Sequence, residues 1–309
     1  VVLPAALASA QDGWPSRPVR LVVPSAPGGG TDTYARLLAQ GLGQGLKQQF
    51  LVDNRPGGGG NIGADIVAKA APDGYTFLVS SSPALVINPS LFRNLPYNAE
   101  RDFAPVARGV VSPLVITCHP SVPAKTLRDL VALAKREPGS ITYGSPGVGS
   151  SSNLAVKMLE EAAKVKFMHV PYKGASQAVL GVLRGEIAFM VTDISTAKPF
   201  VLSRRVVPLA ASHRSSHLPG TPTYAEAGYP SVDAVPAYSV VAPAGTPQTI
   251  VQHMSVDIVG MMKTPTFRER LDAQALLPVF DTPDEFAVFL KKERARYADV
   301  IRRNKIVAE

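Results

Sequence analysis

PSAPGGGTD at residues 24–32, RPGGGGNIG at 55–63 and GSPGVGSSSN at 144–153 decide how this chain is read. Each stretch leaves a short apolar run, turns on glycine and serine, and enters a helical pattern. Such a turn leaves N–H groups unpaired at a helix N-terminus, where the helix dipole favours an anion and glycine lets a ligand approach the main chain. One turn of this kind is a weak signal. Three, far apart in sequence, predict a pocket that surrounds a small acid with neutral donors.

Working outward from the turns, β-rich runs alternate with helical ones. The pattern predicts strands at 19–23, 49–53, 75–80, 106–111, 114–118, 140–143, 167–170, 187–192, 206–211 and 238–242. It predicts helices at 31–45, 62–71, 127–136, 151–164, 175–184 and 246–262. Thr282, Pro283 and Glu285 supply a capped start for a last helix to about residue 303, and Thr126 with Asp129 forms a similar pair. The stretch 212–236, rich in Pro, Gly and Ser, reads as a connection. This order is that of an α/β protein with largely parallel sheets, in which ligands bind at the strand C-terminal ends where the turns fall.

The 309 residues and 46% apolar content suffice for two cores, and 18% charged residues exclude a disordered tail or a coiled coil. A net charge of +8 without clustered Lys, Arg and aromatic residues reads as a basic solvated surface, not a nucleic-acid footprint. Residues 1–10, VVLPAALASA, resemble the end of a secretory leader closing on Ala8-Ser9-Ala10; a flexible Ala-rich terminus is the alternative. The lone Cys118 has no partner for a disulfide and reads as a buried small hydrophobe. Beyond the leader no apolar run reaches the ~20 residues that span a bilayer.

Gly58, Gly60 and Gly63 satisfy G-x-G-x-x-G, but the next strand ends in Ser80-Ser81-Ser82 where a ribose-binding acid belongs, and the first turn lacks the Lys of a P-loop. No G-x-S-x-G elbow appears, the five histidines lack metal-ligand spacing, and His169 in FMHV reads as structural. The expectation is therefore a protein with no catalytic residue, no cofactor and no metal.

At this point the chain resembles a known family. WPSRPVRLVVPSAPGGGTDTYAR (14–36), VDNRPGGGGNIGADIVAKAAPDGYTFLV (52–79), VPYKGASQAVLGVLRGEIAFM (170–190), LPGTPTYAEAGYP (218–230) and APAGTP (242–247) look like the Bug family of extracytoplasmic solute receptors, the substrate-binding components of tripartite tricarboxylate transporters. The resemblance covers about 14–307. It implies a two-lobed periplasmic binding protein of type II-like fold, with a hinge and a ligand cleft, that captures a carboxylate and meets membrane subunits. A monomer without nucleic-acid partners is expected, with 14–106 plus 240–309 as one lobe and 107–239 as the other. It also implies the site: Ser25, Ala26, Pro27, Gly28, Gly29 and Thr31 on the first turn, partly through ordered water, and Gly58, Gly59, Gly60 and Asn61 on the same wall. Ser145, Gly149, Ser150, Ser151 and Ser152 line the opposite wall, Asp193 in MVTD stands at the cleft edge, and Ser80 and Ser81 complete the candidate set.

Two departures stand out. Asn153 replaces a His that relatives often carry, and Ala237 and Tyr238 stand where they often carry Trp. Dicarboxylates, tricarboxylates, acidic amino acids and aromatic acids all remain as ligands. A carboxylate-sensing receptor or an exported enzyme on the same fold is the alternative of a different class.

Overall fold

The computed structural model describes residues 13–172 and 174–307, so the leader reading at 1–10 lies outside the described residues. In chain order the elements are β1 (Val19–Val23), α1 (Gly30–Leu46), β2 (Phe50–Asn54), α2 (Asn61–Ala68), β3 (Thr76–Ser81), α3 (Asn88–Leu91), β4 (Phe103–Val111) and β5 (Leu114–Cys118). There follow α4 (Leu127–Arg136), β6 (Thr142–Ser145), α5 (Ser151–Ala163), β7 (Met168–Pro171), α6 (Ala175–Leu183), β8 (Phe189–Asp193), α7 (Ile194–Leu202) and β9 (Val207–Ala211). The chain closes with β10 (Ala237–Pro243), α8 (Gln248–Lys263), α9 (Pro265–Ala273), β11 (Leu277–Pro278) and α10 (Pro283–Arg303).

Two sheets organise two lobes. One has the order β11-β4-β10-β3-β1-β2 and the other β7-β6-β8-β5-β9. Strand periodicity explains how the first is covered. In β1, Val19, Leu21 and Val23 join a cluster with Leu38 of α1 and Met254 of α8, whereas Val22 joins Ala64 of α2 and Phe286 of α10. Apolar residues on both faces at a period of two are what a sheet between helical layers needs.

The sheets are mixed rather than largely parallel. β1 runs parallel to β2 and β3, and β6 to β7 and β8, but β10 is antiparallel to β3 and β4, and β5 to β8 and β9. The physical reason is the passage between lobes: β10 re-enters from the other lobe and has no helical crossover to bring it back in the same sense. The first passage is the short link from β4 to β5, and the second is the connection between β9 and β10. They lie side by side, since the Ser112 N–H donates to the Pro236 carbonyl at 2.9 Å.

Both predicted capping boxes form, at Thr126 with Asp129 and at Thr282 with Glu285. Cys118 is fully buried, and burial pushes its thiol up to about 11. α10 starts on the first lobe, where Phe286 and Leu290 are buried, and its last turns reach the second, where Arg303 and Asn304 stand 3.4 and 3.3 Å from Glu161 of α5. Three helices escaped the sequence pattern. α3 follows a π-helical turn at Pro83–Ile87 and lies between prolines, α7 contains Pro199, and α9 opens on Pro265 with a weakly apolar face.

Candidate ligand-binding cleft

The first turn is held from below by a carboxylate. Asp32, 2% exposed, accepts the Gly28 N–H at 2.9 Å, the Arg36 guanidinium at 2.9 Å and the Asn54 amide at 2.9 Å, and the same amide donates to the Ser25 carbonyl. Burial works against this charge, yet the bonds from Arg36, Gly28 and Asn54 hold the Asp32 carboxyl below the usual range. α1 then starts at an N-cap glycine, Gly29, which offers no side-chain cap, so the N–H groups of its first turn face outward without one.

The second turn packs against the first. A Cβ on Gly63 would come within 2.9 Å of the Pro24 Cα, so only glycine allows α2 this approach. The Asn61 side chain turns inward: its oxygen accepts from Asn88 at 2.7 Å and from Tyr97 at 2.9 Å. Gly58 and Gly59 remain exposed and Gly60 is buried. Arg55, the only basic residue of the three turns, pairs with Asp53 at 2.9 Å and does not stand free.

The third turn, in the other lobe, is braced by neutral groups. Asn153, 1% exposed, accepts the Gly149 N–H at 3.1 Å and donates to the Tyr143 hydroxyl at 2.8 Å. Ser145 bonds His169 at 2.7 Å, and the His169 ring stacks on Tyr143 with centroids 4.7 Å apart. Burial lowers His169 to about 4, which keeps it neutral and structural. Ser150 caps α5 by accepting from the Asn153 N–H. Gly149 sits at φ +76 with the Leu91 side chain where a Cβ would project, so this turn touches the first lobe at α3. The hydroxyls of Ser25 and Ser151 are shielded and lack a hydrogen-bond partner among the described residues.

Asp193 lies where the lobes meet. It is the N-cap residue of α7 but does not cap it with its side chain. Its carboxylate accepts instead from Ser112 of the β4–β5 link at 2.5 Å and from Tyr238 near the start of β10 at 3.2 Å. Burial raises the Asp193 carboxyl above its ordinary value, more than those two hydroxyls lower it. The Tyr238 hydroxyl in turn lies against Gly30, the first residue of α1. Beside this floor is a chamber of about 150 Å³ lined by Gly28, Gly30, Thr33, Ser112, Ser195, Thr196, Gln274 and Leu276. It draws on the first turns of α1 and α7, one from each lobe, and among the described residues no charged side chain lines it.

Comparison with known proteins bears on the family and the fold. The sequence matches the tripartite tricarboxylate transporter family receptor (TctC) over residues 34–306. The chain belongs to that family. The TctC relative BugT of Bordetella pertussis is 36% identical over 294 residues, covering 94% of this chain and 90% of its own. Among solved structures, a Rhodopseudomonas palustris protein with adipate aligns with a TM-score of 0.89 at 30% identity, covering 95% of this chain and 99% of that one. MatC from the same organism, with bound malate, aligns with a TM-score of 0.84 at 29% identity over 93% of this chain and 100% of that one. TctC proteins are solute-binding receptors and not enzymes, and so is this chain. Among the described residues no helix is long and apolar enough to cross a membrane.

Within this TctC fold, the structure brings Gly28 together with the neighbours of Asp193. It sets Gly59 beside Asn88 and Phe92, and Gly149 against Leu91, on the α3 side. Ser80 is buried in β3 with its hydroxyl on the Ser81 carbonyl, and Ser82 accepts from Ala237 at 3.0 Å. Sequence reading missed Ser112, Ser195, Thr196 and Gln274. Ser195 and Thr196 follow MVTD after Ile194, so a pair of small hydroxyl residues just past that strand was the signal available.

Proposed function

We propose that this chain is the periplasmic solute-binding subunit of a tripartite transporter and that it captures a small carboxylate between its lobes. The observation that carries the reading is the chamber shared by α1 and α7, with backbone donors from both lobes and no side-chain cation. An anion placed there is held by uncapped N–H groups, each worth about 1.5–3 kcal/mol when the partner is charged. The adipate and malate of the two similar structures are carboxylates of this size, which supports the class.

The bodies that close on the ligand are, in this proposal, 14–106 plus 240–309 against 107–239, with the hinge edges drawn out to the ends of β4 and β10, Val111 and Ala237. A monomer engages two membrane subunits, and no nucleic acid, cofactor or metal takes part. A thermal-shift screen of linear diacids, hydroxy tricarboxylates, acidic amino acids and aromatic acids tests the ligand class. An acid at a hundred times its Kd adds ~2.7 kcal/mol of stability, and its methyl ester adds none. Stabilisation by esters or by neutral sugars alone overturns the carboxylate reading.

A further inference from the structure

Residues 272–276 form a strap between the lobes. Leu276 is buried in the first-lobe core with Val240 and Met254, whereas Ala275 packs into a second-lobe cluster with Val115, Ile194 and Ala197. Ala275 faces that cluster from a left-handed backbone, φ +52, which residues with a Cβ avoid. Such strain persists where packing on both sides over-determines it. Asp272 adds a contact 3.5 Å from His217 of the other lobe. The strap thereby holds Gln274 in the wall of the chamber.

Thr33, Ser195, Thr196 and Gln274 all bring polar side chains to that wall, and none of these side-chain ends has a hydrogen-bond partner among the described residues. An aliphatic ligand chain closed in there would leave these ends dehydrated and unpaired, which is unfavourable. A hydroxyl both donates and accepts, and so does the Gln274 amide. The volume, about 150 Å³, equals about five water molecules at liquid density, room for a substituted carbon next to a bound carboxylate.

We propose that Gln274 is a specificity-determining residue that selects small aliphatic acids bearing a chain hydroxyl over their unsubstituted parents. The inference rests on the carboxylate reading of the same cleft. Discrimination of this kind is strong when the site's own polar groups are left unpaired by the wrong ligand.

The test is calorimetric titration of wild type, Gln274→Leu and Thr196→Val with butanedioate and with each enantiomer of 2-hydroxybutanedioate. Wild type binds one hydroxylated enantiomer at least tenfold tighter than butanedioate. Gln274→Leu cuts that ratio about tenfold and Thr196→Val cuts it less, while melting scans of the free variants show a folded protein. A wild-type ratio near one, or a ratio that survives in folded Gln274→Leu, overturns the role of Gln274 and leaves the carboxylate reading standing. If no acid in this set or in the wider screen binds, both fall.

Discussion

The first and third glycine turns are built on one plan with opposite electrostatics. In each, a glycine N–H is taken by the side chain four residues on, Gly28 by Asp32 and Gly149 by Asn153. Asp32 brings a charge, answered by Arg36 and Asn54, and the helix above it starts uncapped at Gly29. Asn153 brings none, answers Tyr143, and stands in a helix already capped by Ser150. The two walls are therefore unequal. The first keeps its helix N-terminus open and buffers it with an ion pair at the base, while the third satisfies its own N-terminus with its own side chains. An incoming anion has more to gain from α1, and from α7 across the chamber, than from α5.

Exchanging the braces tests this most severely. Asn153→Asp places a carboxylate 1% exposed against a tyrosine hydroxyl with no cation bonded to it, and should cost roughly 3 to 5 kcal/mol. Urea unfolding measures it, and a loss below about 1 kcal/mol denies that the third turn is a neutral site. Asp32→Ala is the weaker counterpart. It orphans the Gly28 N–H and the Asn54 amide but leaves Arg36, half-exposed, free to find water, so about 2 kcal/mol is expected in the same experiment.

Much of the fold was legible because its signals are local. Ten of the eleven strands, β1 to β10, follow from alternation and apolar runs, and the caps at Thr126 and Thr282 follow from residue type at fixed offsets. What was not legible depends on chain meeting chain. β11 is two residues long and exists because Leu277 pairs with Val111, and that pairing sets Gln274 and Leu276 beside Ser112. Asn61 looked like a ligand contact from its turn, yet its side chain is committed to Asn88 and Tyr97, 27 and 36 residues away. Tyr238 likewise gave no sequence sign that its hydroxyl spans from Gly30 to Asp193.

Acid titration sharpens the contrast from another side. His169 has its pKa lowered by burial to about 4, so the folded state favours the neutral ring. Its contribution is complete above its unfolded value near 6.5 and is lost as pH falls from there toward 4. His169→Gln should flatten the stability profile in that window, as read by melting temperature against pH. A profile identical to wild type would place the ring outside the brace of the third turn.

The smallest expected effect concerns the cap that α1 lacks. Gly29 has φ −80 and ψ 167, and a Cβ there would meet the Ala26 carbonyl oxygen at 3.7 Å, an ordinary contact, so serine fits without strain. Gly29→Ser should stabilise the free protein by a few tenths of a kcal/mol, as a hydroxyl takes an N–H of the first turn. The same hydroxyl competes with the ligand, so affinity should fall up to about tenfold, 1.4 kcal/mol. A gain in both stability and affinity would show that α1 does not face the bound anion.

α10 belongs to the first lobe by its start and reaches the second at its end, with Arg303 and Asn304 on Glu161 and Arg296 donating to the Asp233 carbonyl. One cluster of buried side chains runs from Leu85 and Phe286 to Leu154 and Tyr143 without a break between lobes. Cutting the protein at its sheet boundaries would leave the first-lobe fragment with α10's last turns uncovered and the second-lobe fragment with α5 bare. The lobes are thus not interchangeable modules: a chimera that grafts a foreign second lobe onto this first one inherits a helix end shaped for α5, and fits only if that surface is grafted with it.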